Sequence, residues 1–161
     1  MAEINIQLSF IETQPKNILL SLREEYFNKM IDGSKRFEYR TRFLKEACTA
    51  YIYISKTKKS VIARLDLGEP IIGSAEEIAM LAESEESGCY QAMLEYLYND
   101  LGFAIPVNGV TLLSEEVTLD DLKSKFPDFV PPQSYFILDK KPELLTYFES
   151  FVGEKQCSLK M

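Results

Sequence analysis

The sequence predicts an α+β domain: a small, twisted, mixed β-barrel flanked by helices. Three observations carry that expectation. Apolar and polar residues alternate in several short runs, the period of half-buried strands. Turn-forming residues punctuate these runs at short intervals. Helical periodicity is confined to a few separate stretches, and a twisted sheet of short strands with helices at its ends closes towards a barrel.

The elements follow in order. Residues 1–17 are polar, show no clear period and are closed by Pro15, so they read as an N-terminal arm or edge segment. Ile18–Leu22 is a short apolar run, a buried strand by its length. A helix should follow, with Ser21 and Glu24 spaced as a capping box. Tyr26, Phe27, Met30 and Ile31 would share its apolar face, and Gly33 would end it. From Phe37 the period changes to two: Phe37, Tyr39, Thr41 and Phe43 point one way, Glu38, Arg40 and Arg42 the other. Ala50–Ile54 and Val61–Leu67 read as strands on either side of a basic turn, Lys56 to Ser60, and Pro70 and Gly73 break the chain near Ile71 and Ile72.

Two helices are expected over residues 74–101. Ser74 and Glu77 would cap the first, whose apolar stripe is Ile78, Leu81 and Ala82. After a break at Gly88, the second would carry Met93, Leu94, Leu97 and Leu101 on one face. Phe103 to Leu113 is strand-like on both sides of Asn108-Gly109, a turn dipeptide. Thr118 to Phe126 reads as a short helix capped by Thr118 and Asp121, and Pro127, Pro131 and Pro132 mark an extended loop. Tyr135 to Leu138 is a last strand, and Leu144 to Val152 a closing amphipathic helix. No repeat, low-complexity stretch or linker intervenes. Residues 18–152 are therefore expected to form one domain, with a loose tail over 153–161.

Composition narrows the function classes. The 161 residues are 46% hydrophobic and 27% charged, ordinary for a chain that folds without disulfide or metal. No run approaches the ~18 apolar residues of a membrane span, and Met1–Asn5 lacks the basic and apolar parts of a signal peptide. The expectation is a cytoplasmic protein with no membrane partner. Cys48, Cys89 and Cys157 are widely spaced, and there is no histidine. That argues against a zinc site, a Ser/His/Asp triad or a Cys/His dyad, and no metal or cofactor motif is present.

The net charge of −7 is unevenly spread. Residues 35–64 carry nine bases against Glu38 and Glu46, a local +7, whereas residues 65–161 stand at −12. A basic island in an acidic chain points to a local anion site, although scattered solvated lysines would give the same count.

Chemistry concentrates in Gly33-Ser34-Lys35-Arg36-Phe37-Glu38-Tyr39-Arg40, a G-x-K-x-x-E-x-R pattern. Glycine after a helix permits a tight left-handed turn. The strand that follows holds a carboxylate and a guanidinium on one face, and the flexible Lys35 ammonium at the turn reaches the same space. Mixed charges at such range suit acid/base work. An exposed Glu38–Arg40 ion pair, ~1 kcal/mol at most, fits the same residues.

This segment resembles the signature of the ASCH domain family, which has a PUA-like fold. The resemblance spans residues 18–139. Ile18–Leu22 is similar to the family's first strand, Tyr51–Ser55 and Val61–Leu65 to the next pair around a basic turn, and Pro131-Pro132-Gln133-Ser134-Tyr135 to the run before its last core strand. It implies a cleft between the barrel and the first helix, lined by Lys35, Glu38 and Arg40, and an association with RNA binding and nucleotide-related chemistry. One branch resembles amidohydrolases of N-acylated cytidine nucleosides, which use a lysine with a hydroxyl three residues later. Glu38 stands where that threonine would be, which removes the obvious nucleophile.

Further candidates surround this core. Ser55, with Lys56, Lys58 and Lys59 behind it, would hold a phosphate; Gln133 and Ser134 would read a base edge, or bond their own loop backbone. Phe37, Tyr39, Tyr51 and Tyr53 are either base-stacking or core aromatics. Three functions compete. The first is a module binding RNA, a nucleotide or a nucleoside, with Lys35, Arg40 and the basic turn on phosphate and Glu38 accepting from base or ribose. The second is a hydrolase of a modified nucleoside or RNA, with Lys35 and Glu38 as the catalytic acid/base groups. The third is a protein-interaction domain using its acidic C-terminal two-thirds.

Overall fold

The computed structural model describes residues 15–98 and 100–153. The expected arm falls outside these residues except for its last positions, and the expected tail except for Gly153. Seven strands form one mixed sheet: β1 (Lys16–Arg23), β2 (Phe37–Arg40), β3 (Cys48–Ser55), β4 (Ser60–Leu67), β5 (Ile71–Gly73), β6 (Gly102–Thr118) and β7 (Tyr135–Ile137). The helices are α1 (Glu24–Ile31), α2 (Ala75–Glu85), α3 (Tyr90–Leu97), α4 (Leu119–Lys125) and α5 (Pro142–Glu149).

The strand order is β2-β6-β4-β3-β1-β7, with β5 beside β6. β1 and β3 run parallel, and the other pairs are antiparallel. The sheet curls into a half-barrel whose end strands, β2 and β7, do not pair among the described residues. The α+β class and the curled mixed sheet thus agree with the sequence. The barrel is left open along a seam between β2 and the β1–β7 edge.

Burial on both faces explains why the central strands read as nearly unbroken apolar runs. Ile18, Leu20 and Leu22 of β1 pack with Ala50, Ile52 and Ile54 of β3, and Phe27 and Met30 of α1 close over them. Leu19, Tyr51 and Tyr53 turn the other way, against Leu122 of α4 and Leu144 and Phe148 of α5. A third, smaller cluster of Ala75, Ile78, Leu97 and Ala104 seats the α2–α3 hairpin on the sheet, with Phe37, Tyr39 and Met93 against it.

Local chemistry sets most boundaries as the sequence predicts. Ser74 and Glu77 form a reciprocal capping box on α2, and Thr118 and Asp121 form one on α4. Several expectations are corrected. Asn108-Gly109 is no hairpin turn: β6 runs through it for 17 residues. A register shift opposite, between Asp66 and Leu67, absorbs the bend. Gly109 serves close approach, since a Cβ there would lie 3.2 Å from Asp66 Oδ2. α3 ends at Leu97, where Tyr98 takes a left-handed φ of 52°, so Leu101 leaves the helical face and is exposed.

Ser21 does not cap α1. It remains in β1, its hydroxyl donates to Pro132 O at 2.6 Å, and Arg23 takes the cap position without a side-chain bond. Tyr26 leaves the core face of α1 and is exposed. The alternation from Phe37 stops at Arg40: Phe43 instead turns into the main core, its ring 5.0 Å from that of Tyr135.

Phe148 is fully buried and stacks on Tyr51 at 5.5 Å between ring centroids. Phe148→Ala is expected to lower the unfolding free energy by about 3–5 kcal/mol in urea titrations, the usual cost of deleting a core aromatic.

Candidate ligand-binding site

The site begins where α1 ends. The amide of Asp32 donates to Asn28 O and that of Gly33 to Met30 O; Gly33 then turns the chain at φ +85°, a conformation open to glycine. The Lys35 amide folds back onto Lys29 O at 3.0 Å, and Val107 N donates to Arg36 O at 2.9 Å, so the turn and the start of β2 are both tied down. Along β2 the strand period then sends Phe37 and Tyr39 towards the hairpin cluster, and Glu38 and Arg40 into the seam.

Glu38 is the pivot. Its Oε2 accepts a bond from Arg40 Nε at 2.8 Å, and its Oε1 lies 3.7 Å from Lys35 Nζ. The side chains are 9% exposed for Glu38 and 15% for each of the two bases, so this is no solvated surface pair. Arg40 reaches further. Its Nη1 donates to Ser134 Oγ and its Nη2 to Ser21 O, both at 3.2 Å. The Ser21 amide in turn donates to Ser134 O at 3.0 Å. One guanidinium therefore spans the seam that the backbone leaves open.

The Lys35 ammonium lies 4.7 Å from the Tyr39 ring centroid and 5.7 Å from that of Tyr26, a cation–π setting worth ~0.5–2 kcal/mol. The Tyr39 hydroxyl donates to Glu85 of α2, which also accepts from the Arg36 amide at 2.6 Å. Tyr96 OH donates to Tyr39 O at 3.4 Å. These bonds hold the α2–α3 hairpin over β2.

Between seam and hairpin lies a cleft of about 680 Å³. Lys35, Glu38 and Arg40 form its floor; Tyr26, Tyr39, Met93 and Tyr96 form an aromatic-rich wall; Arg23, Ser55, Lys56 and Gln133 stand at its edges. Of the residues singled out from the sequence, Lys35, Glu38, Arg40, Ser55, Lys56 and Gln133 are thus brought together. Ser134 acts one step back, through its bond to Arg40. Lys58 is not brought in: its ammonium pairs with Glu116 at 3.3 Å on the surface. Tyr51 and Tyr53 are core residues, and Phe37 packs under the hairpin.

Sequence reasoning did not find Arg23, Tyr26, Met93 or Tyr96. The helical spacing of Met93 and Tyr96 was a usable signal, but only the hairpin's docking shows that their face fronts a cleft. Burial first, then the bond to Glu85, pushes the Tyr39 phenol far above the ordinary tyrosine range, so it serves as a neutral donor. Burial pushes the Cys48 thiol up to about 12, and burial with nearby Glu83 and Glu86 raises that of Cys89 at the cleft wall. Neither is a ready thiolate. Among the described residues, no group of three or more acidic, cysteine or histidine side chains is arranged to hold a metal ion, and no helix is long and apolar enough to cross a membrane.

No family sequence model and no curated protein sequence matches the chain. Solved structures do match. The ASCH protein of Zymomonas mobilis superposes with a TM-score of 0.67 at 21% identity, over 90% of this chain and 99% of that one. A serine-to-alanine variant of it gives 0.68 at 23% identity, over 82% and 96%. The chain has the ASCH fold. The N-terminal domain of Staphylothermus marinus McrB is a more distant likeness, with a TM-score of 0.54 at 11% identity over 84% of this chain and 94% of that domain. At these identities the likeness concerns the ASCH fold, and the cleft chemistry rests on this chain's own residues.

Arg40→Ala strands the Glu38 carboxylate and unlatches the seam. It is expected to cost about 2–4 kcal/mol of stability, and adding Glu38→Gln should recover part of that loss in a double-mutant cycle measured in urea. Tyr39 gives a pH signature. Because its folded pKa is raised, its contribution is complete below the unfolded tyrosine value of about 10 and is lost as pH rises beyond it. Melting curves from about pH 9 to 11 should therefore fall less steeply for Tyr39→Phe than for the wild type.

Proposed function

We propose that this ASCH-fold domain binds a nucleotide or nucleoside, free or within single-stranded RNA, in the cleft beside the Gly33–Arg40 segment. The observation that carries the reading is the pairing of a fixed polar floor, Lys35, Glu38 and Arg40, with the tyrosine wall of Tyr26, Tyr39 and Tyr96. A planar base can stack on the wall while its polar edge meets a carboxylate acceptor and an ammonium donor. A volume of about 680 Å³ suits a single nucleotide rather than a duplex. Four bases line the cleft against one acid, Glu38, whereas the whole chain carries −7, a distribution that favours small or single-stranded anionic ligands.

A second reading, hydrolysis of a modified nucleoside or RNA, is favoured by the geometry at Glu38. Arg40 holds one carboxylate oxygen, and the other faces the Lys35 ammonium across 3.7 Å. A positioned carboxylate beside an ammonium is an acid/base pair, Glu38 orienting water or accepting its proton and Lys35 donating one to the leaving group.

Thermal unfolding against a panel of nucleotides, modified nucleosides and short RNA oligomers tests both. A ligand at ~100 times its dissociation constant should add roughly 2.7 kcal/mol of apparent stability. A shift confined to one class and weakened in Lys35→Ala is the expected result; a well-folded wild type that responds to nothing in the panel would sink the reading. Chromatography of the same mixtures separates the alternatives. Product formation by the wild type, absent in Lys35→Ala although ligand still binds, identifies the enzyme.

A further inference from the structure

The four cations of the cleft are of two kinds. Lys35 and Arg40 flank Glu38 and share its single negative charge, which leaves the floor at +1. Arg23 and Lys56 have no carboxylate partner among the described residues, although both border the same cavity. The topology explains their meeting. β1 and β3 are parallel, so their C-terminal ends arrive at one edge of the cleft, with Arg23 in register with Ser55 and Lys56 next in the chain. Two like charges gathered without a counter-charge repel one another, and the arrangement becomes favourable when an anion lies between them.

The local backbone sharpens this. Lys56 sits at φ +70°, in the left-handed region where glycine would be unstrained. The Ser55 hydroxyl has only a long 3.4 Å bond to Leu22 O and can re-aim towards a ligand. Glu24 and Glu25 already complement the first turn of α1 and are not among the cleft-lining residues, so side chains rather than the helix end supply the positive charge.

We infer that the ligand is a nucleoside monophosphate whose phosphate is held at the Arg23–Ser55–Lys56 corner, leaving its base on the tyrosine wall beside Glu38. This rests on the cleft reading above and adds to it a ligand class and an orientation. Two cations with a hydroxyl donor match a phosphate's charge and acceptor oxygens. The floor, where two cations share one carboxylate, carries half the net positive charge of the corner, and the Glu38 carboxylate opposes a phosphate beside it, so the floor is left to the uncharged base.

Titration calorimetry of the wild type, Lys56→Gly and Lys58→Ala with the four ribonucleosides and their 5′- and 3′-monophosphates tests it. Glycine suits the positive φ, so Lys56→Gly keeps the turn while removing the ammonium; Lys58 lies outside the cleft and is the control for general basic charge. The expected result is a monophosphate that binds at least tenfold tighter than its own nucleoside. Lys56→Gly should erase that advantage without changing nucleoside affinity, and Lys58→Ala should preserve it. Equal affinity of nucleoside and monophosphate would overturn the inference and leave the cleft reading standing. So would equal weakening of both ligands in Lys56→Gly, or equal loss in the two lysine variants. Absence of binding by every probe would overturn this inference, and the thermal panel above, with its modified nucleosides and RNA oligomers, decides the cleft reading separately.

Discussion

A buried carboxylate needs a partner, and around Glu38 that requirement organises the cleft. Left unpaired on a side chain only 9% exposed, its charge would cost several kcal/mol. Arg40 supplies the pairing through Nε, which leaves the two terminal nitrogens of the same rigid fork aimed across the seam at Ser21 O and Ser134 Oγ. A lysine has three donors, but they diverge from a single nitrogen and lack the planar spread to reach all three acceptors at once. One charge pair thereby joins β2 at one end of the curled sheet to β1 and the approach to β7 at the other. The barrel is closed there by side chains where backbone pairing stops, and a side-chain closure leaves room for a cavity.

The second constraint is the hairpin. Its apolar cluster is small and separate from the main core, so its placement leans on polar bonds to β2, above all those of Glu85 with the Tyr39 hydroxyl and the Arg36 amide. Both contacts fall within the Gly33–Arg40 segment. The same short segment thus carries the floor of the cleft and anchors its aromatic wall, so floor and wall are mechanically linked. Tyr39 belongs to both, since its ring also lies against the Lys35 ammonium.

What was legible in the sequence was local. Ser74–Glu77 and Thr118–Asp121 announce their helices because a capping box is complete within four residues. The G-x-K-x-x-E-x-R pattern announces its geometry because Gly33, a strand period of two and a flexible lysine need no distant partner. Failures came where a distant contact overrode a local signal. Asn108-Gly109 has the composition of a hairpin turn, yet continuous pairing with β4 holds it within a long strand. Ser21 has the spacing of a cap, yet Pro132 O, far along the chain, takes its hydroxyl. Tyr26, Met93 and Tyr96 carry ordinary core-like helical spacing, and only the docking of two helices across β2 turns them into a cleft wall.

The presence of a carboxylate at position 38 shapes the cleft through this network. A hydroxyl three residues after the lysine would be neutral and free to attack or donate. A carboxylate there must be neutralised, and both Arg40 and Lys35 are drawn to it. The ammonium that would otherwise be the strongest anion attractor on the floor is thereby partly spent within the protein. Net positive charge shifts to the strand ends at Arg23 and Lys56, where no acid competes among the described residues. On the proposed reading the floor takes a polar, uncharged group and the edge an anion. A carboxylate rather than a hydroxyl at position 38 accordingly sets the polarity of the cleft and, on the proposed reading, the orientation of its ligand.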